Sequence, residues 1–121
     1  TVRDLRAHAE ALIEKELIEL GLLTAAEIRK QDPENPALRK YFMHGVGHPI
    51  GLDVHDVCPT EQRLAAGWVM TCEPGIYIRE EGFGIRLENT ILVTETEPVD
   101  LMADIPIEPE EIERLMGRTR K

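Results

Sequence analysis

The chain lacks any run approaching the ~18 consecutive apolar residues that a membrane-spanning helix needs, and no charged-then-apolar leader opens it. Neither spanning nor anchoring in a membrane is expected. Cysteine is nearly absent. Cys58 and Cys72 are too few for a disulfide framework and have no metal-type spacing, so a reducing, cytoplasmic compartment is expected and both read as small, partly buried side chains. Positive charge is also short: 14 Lys and Arg face 23 Asp and Glu, a formal net charge of -9. That balance works against a grip on phosphate backbones or anionic lipid and excludes nucleic acid as the expected partner. Aromatic residues are few, and Trp68, Tyr77 and Phe83 read as core and rim packing. What is present is 42% hydrophobic residues over 121 positions, enough for one globular domain with a genuine core. Thr1 is not a methionine and already falls inside a helical pattern, which reads as a piece of a longer protein.

Apolar residues Val2, Leu5, Ala9, Leu12, Ile13, Leu17 and Leu20 recur at helical intervals and predict an amphipathic helix stopped by Gly21. Thr24 followed by Glu27 is a capping-box signature for a second, short helix, ended by Asp32-Pro33. Asn35 as cap and Pro36 as first helical residue predict one further turn through Lys40. From Tyr41 to Val57 glycines, proline and three histidines break any helical period and predict extended chain and turns. Strands are expected over 68–72, 76–78 and, after the Gly82–Gly84 turn, 85–94, with a corner at Glu73-Pro74-Gly75. A last helix begins at Glu110 and is expected to stop at Gly117.

Three of the four histidines, His44, His48 and His55, fall within twelve positions. The glycines between His44 and His48 deny the helix that a zinc-binding histidine pair needs, yet in extended chain residues four apart still share a face. Clustered imidazoles suit base and ligand chemistry; an ordinary polar or core role for each is the alternative, disfavoured by the clustering. Glu73 is held extended by Pro74 between apolar segments, and a carboxylate placed there needs a cation, a metal or a proton unless it is merely solvated. Glu88 shares a strand face with Arg86, and an exposed ion pair between them is the plain alternative to a ligand role. Together, His48 with Glu73 and Glu88 form a borderline-to-hard donor set suited to Mn²⁺, Co²⁺, Zn²⁺ or Fe²⁺, with Arg86, His44 and His55 placed to support it.

The strings His44-Gly-Val-Gly-His48-Pro-Ile-Gly51-Leu-Asp53-Val-His55-Asp56, Glu73-Pro74-Gly75-Ile-Tyr77 and Gly84-Ile-Arg86-Leu-Glu88-Asn occur in the order found in the pita-bread metallopeptidases. The chain resembles their proline-specific branch, the Xaa-Pro aminopeptidases (aminopeptidase P) and prolidases. The resemblance implies an α/β fold, an antiparallel sheet with flanking helices, and covers the C-terminal half of the catalytic domain, so residues 1–121 are expected to be that part. It implies hydrolysis of the peptide bond preceding proline at the N-terminus of short proline-containing peptides, by a homo-oligomeric enzyme that is either an Xaa-Pro aminopeptidase or an Xaa-Pro dipeptidase. His48, Glu73 and Glu88 match metal ligands, with Glu73 also handling the proton of the attacking water. His44 and His55 match histidines that line the substrate site and steady the developing charge, and Arg86 matches a residue beside the ligands on the substrate side. Two divalent ions are implied, Mn²⁺ first, with Co²⁺ or Zn²⁺ as alternatives. The two aspartates that complete such a centre have no match among Asp4, Asp32, Asp53, Asp56, Asp100 and Asp104. The chain is therefore expected to hold an incomplete site and to be inactive alone. A pita-bread relative that binds peptide or protein without chemistry is the alternative, disfavoured by the presence of all three ligand types.

Overall fold

The structure is a computed structural model that describes residues 1–117. Helix α1 spans Val2–Glu19, opened by a reciprocal capping box between Thr1 and Asp4. Gly21 takes a left-handed backbone (φ 72°) and the chain reverses, with the Leu22 and Leu23 N–H groups both donating to the Leu17 carbonyl. Helix α2 (Ala25–Lys30) starts with the expected Thr24–Glu27 capping box. The next turn is a 3₁₀ helix over Ala37–Lys40, one residue later than expected. Pro36 is extended and stands at the cap, and no side chain caps the turn, so Asn35 does not have that role.

The core lies where these short helices meet. Leu17, Leu23, Leu38, Tyr41 and Phe42 are buried together, with Ile13, Ile28, Ile76 and Ile78 packed against them. Phe42 and Leu17 are fully enclosed. Burial of aromatic and branched side chains at ~25 cal/mol per Å² is what docks the helices on the strands.

Among the described residues five strands follow: β1 (Val69–Cys72), β2 (Gly75–Ile78), β3 (Phe83–Arg86), β4 (Asn89–Leu92) and β5 (Val99–Asp100). The single strand expected over 85–94 is two, because β3 pairs with β2 while β4 pairs with β1. Pro74 gives the reason. It lacks an N–H, so opposite Leu87 it can accept (Leu87 N to Pro74 O, 3.4 Å) but cannot donate in return, and the ladder breaks there. The register nevertheless runs unchanged from Cys72↔Asn89 to Gly75↔Arg86. Glu88 is therefore the residue opposite Glu73, on the two facing links where the sheets meet. The short β5, paired with β4, had no clear signal in the sequence.

The extended segment before β1 lies along that strand's free edge. Glu73 N–H donates to Val46 O, Thr71 N–H to His48 O and Ile50 N–H to Val69 O, an antiparallel ladder around the Pro49↔Met70 bridge. Helix α3 (Pro109–Gly117) runs to Gly117, the last described residue. Cys72 is exposed rather than partly buried, and Cys58 is intermediate. Along β3 and its link, Phe83, Ile85 and Leu87 are exposed, and Ile85 and Leu87 line a groove of about 320 Å³ with Leu12 and Leu20 of α1. Among the described residues no helix is long and apolar enough to cross a membrane.

Candidate metal centre

Three backbone facts assemble the site. The edge ladder places His48 directly opposite Thr71, and cross-strand partners share a face. Glu73 lies two residues beyond Thr71 and so points to the same side as His48. Beyond Pro74 the chain continues in the same register into β2, which places Tyr77 and its hairpin partner strand next along the arm.

Glu73 is the centre of the resulting cluster. Its side chain is 13% exposed. Oε1 accepts from the Thr71 hydroxyl at 3.0 Å and lies 3.3 Å from His48 Nε2, while Oε2 lies 3.5 Å from Arg86 Nη1. The Nδ1 of His48 is 3.0 Å from the Pro49 carbonyl, which can only accept. Nδ1 therefore carries a hydrogen, and Nε2 is the nitrogen turned towards Glu73 for a proton or a cation. An imidazole nitrogen and a carboxylate oxygen presented to one another in this way fit a borderline divalent ion.

Arg86 continues the network away from Glu73. Its Nε–H donates to the Tyr77 hydroxyl at 2.8 Å, and that hydroxyl is 2.9 Å from His44 Nε2. His44 Nδ1 is 2.7 Å from the Gly45 carbonyl and so is its donor. In the neutral ring Nε2 then accepts from Tyr77. A continuous polar chain thus runs His48–Glu73–Arg86–Tyr77–His44. Room for the Tyr77 ring comes from Gly84, its cross-strand partner. A Cβ at Gly84 would sit 2.5 Å from Tyr77 Cδ1.

His55 is exposed, and its ring stands edge-on to His48 with centroids 4.2 Å apart. Glu88 faces Glu73 in register but is exposed. Among the described residues no three His, Cys, Asp or Glu side chains converge to hold a metal ion. The structure thus brings His48 and Glu73 together, sets His44, His55 and Arg86 around them, and leaves Glu88 outside the cluster. Arg86 turns to Glu73 and Tyr77, not to Glu88, so the plain alternative of a surface ion pair with Glu88 is not what forms.

Sequence reasoning missed Tyr77 and Thr71. Tyr77 read as packing because a lone tyrosine between isoleucines is usually that; its signal lay in the glycines at 75 and 84, which clear one hairpin face. Thr71 had no signal, since a threonine in a strand is ordinary.

The model of metallopeptidase family M24 matches residues 1–95. The chain belongs to metallopeptidase family M24. Among curated relatives, it is 42% identical over 117 residues to the Xaa-Pro aminopeptidase of Escherichia coli K12, covering 87% of this chain and 26% of that protein. Among solved structures, zinc-substituted E. coli aminopeptidase P in complex with product superposes with a TM-score of 0.78 at 36% identity, covering 99% of this chain and 30% of that one. The same enzyme with the inhibitor Pro-Leu gives 0.76 at 35% identity, over 97% and 29%. The fold of this M24 chain is accordingly part of a pita-bread domain, α/β with antiparallel strands and helices. The chain spans about a quarter of the length of the curated relatives it matches.

Proposed function

We propose that residues 1–121 are the C-terminal part of the catalytic domain of an Xaa-Pro aminopeptidase. The substrates are short peptides with proline second, and the bond cut is the one preceding that proline. The observation that carries this reading is the Glu73 cluster: a largely enclosed carboxylate aimed at the unclaimed nitrogen of His48. Relatives named Xaa-Pro aminopeptidase, and a solved relative holding Pro-Leu, support the substrate class over the dipeptidase alternative.

In this reading His48, Glu73 and Glu88 hold two divalent ions with ligands from the remainder of the domain, Mn²⁺ being the expected metal. Such ions would polarise the scissile carbonyl and acidify the attacking water. Glu73 takes that water's proton; Thr71, His48 and Arg86 fix where its oxygens point. Arg86 lines the substrate side while holding Oε2. His55, exposed beside His48, steadies charge developing on the carbonyl oxygen. His44 does so only by exchanging its hydrogen bond from Tyr77, because both its ring nitrogens are engaged. The enzyme is proposed to be cytoplasmic and homo-oligomeric.

The test is a peptidase assay with added Mn²⁺, paired with light scattering. The full-length protein should cleave Xaa-Pro peptides and lose that activity in His48→Ala. The isolated 121-residue chain should show no turnover. It should also self-associate at high concentration, because Leu12, Leu20, Ile85 and Leu87 leave an exposed apolar groove. Hydrolysis by a monomeric 121-residue chain, abolished by His48→Ala, would contradict the reading of this chain as a partial site.

A further inference from the structure

Thr71 occupies a position that its residue type alone does not explain. It is a buried polar residue, 5% exposed, at the centre of β1's contact with the histidine segment. Its backbone N–H donates to His48 O at 2.8 Å, and its hydroxyl accepts from His48 N–H at 2.9 Å. Both backbone groups of His48 are thereby held by one residue. The single hydroxyl hydrogen has two acceptors in reach, Glu73 Oε1 at 3.0 Å and His48 O at 3.4 Å. The carboxylate wins: the contact is shorter and charge-assisted, and His48 O already accepts from the Thr71 N–H. One side chain is therefore bonded to His48 and Glu73 at once.

The fit is tight on the other side as well. A Cβ at Gly47 would overlap the Thr71 carbonyl oxygen, so only glycine lets the 46–50 segment lie this close to β1. Across that contact the Thr71 hydroxyl converts backbone register into a fixed separation between an imidazole and a carboxylate.

We propose that Thr71 is a positioning residue that ties His48 to Glu73 and thereby sets the protein's affinity for divalent metal. The affinity part rests on the metal-dependent reading above; the tether itself does not. Residues that support metal ligands in this way typically cost ~10–100-fold in affinity when removed. Thr71→Val keeps the shape and deletes the hydroxyl, whereas Thr71→Ser keeps the hydroxyl.

Two measurements on the full-length protein test it. In calorimetric titration with Mn²⁺, Thr71→Val should bind ~10–100-fold more weakly than wild type while Thr71→Ser stays within a few-fold, all three with matched thermal melting. In metal-free hydrogen exchange, the His48 amide should exchange at least ~10-fold faster in Thr71→Val and regain protection in Thr71→Ser. Unchanged Mn²⁺ affinity in a folded Thr71→Val overturns the proposal, as does unchanged protection of the His48 amide. If wild type binds no metal, the functional reading falls instead, and the exchange result decides the tether by itself. Should Thr71→Val fail to fold, Thr71→Ala carries the same comparison.

Discussion

Glu73→Gln in the full-length protein should lower kcat by ~10²–10⁴-fold, the range for losing a positioned general base, with the fold intact. Glutamine keeps the size and one carbonyl oxygen, so the Thr71 hydroxyl still finds an acceptor. The negative charge between His48 Nε2 and Arg86 is gone, together with the group that would take a proton from water. Steady-state kinetics on an Xaa-Pro peptide, with circular dichroism to verify folding, read the outcome. Near-normal turnover would remove Glu73 from the chemistry. Within the same series Tyr77→Phe should cost less, ~10–100-fold in kcat/KM, because it deletes the hydroxyl that accepts from the Arg86 guanidinium and bonds His44, and a bond to a charged group contributes ~1.5–3 kcal/mol.

The largest effect on stability should come from Phe42→Ala. Phe42 is 1% exposed and sits in the cluster that joins α1, α2 and the 3₁₀ turn to β2. Truncating a buried phenylalanine costs ~3–5 kcal/mol, a large fraction of the ~5–15 kcal/mol that holds a domain together. The ring also stands edge-on to His44, with centroids 4.8 Å apart, so the site should loosen with the core. Urea unfolding of the full-length protein should show a markedly lower midpoint for Phe42→Ala and a smaller drop for Phe42→Leu, which leaves less empty volume. Equal midpoints for wild type and Phe42→Ala would mean that this cluster is not the core.

The parts legible in the sequence were those governed by near neighbours. Thr24 and Glu27 make a capping box because a side chain reaches a backbone group three residues away, and that geometry is local. Gly21 ends α1 for an equally local reason. The interruption of the strand at Glu73-Pro74 was legible because proline constrains the residue before it, but the expected corner is an extended link, since the pairing register continues from Cys72↔Asn89 to Gly75↔Arg86. Boundaries that depend on distant partners were not. The break at Leu87-Glu88 originates in Pro74 on the opposing arm, whose missing N–H is felt only once the two arms pair. β5 exists because β4 offers it an edge. Asn35 looked like a cap and is not one, since Pro36 takes the cap position itself.

The same division runs through the site. His48 and Glu73 could be singled out from residue type and stiffness, but their closeness depends on the register between the 46–50 segment and β1, which no local pattern encodes. Tyr77 and Thr71 join the site through hydrogen bonds to residues far along the chain. Glu88 shows the converse. Its position opposite Glu73 follows from register, whereas its side chain stands in solvent among the described residues.

The claim on which the functional reading depends is that His48 and Glu73 ligate a common divalent ion. Crystals of the full-length protein grown with Mn²⁺ and measured at the manganese absorption edge test it most directly. The expected result is an anomalous peak within direct bonding distance of both His48 Nε2 and a Glu73 oxygen, with Glu88 drawn in from solvent to the same centre. Manganese bound elsewhere, with His48 Nε2 still 3.3 Å from Glu73 Oε1 and nothing between them, would contradict it.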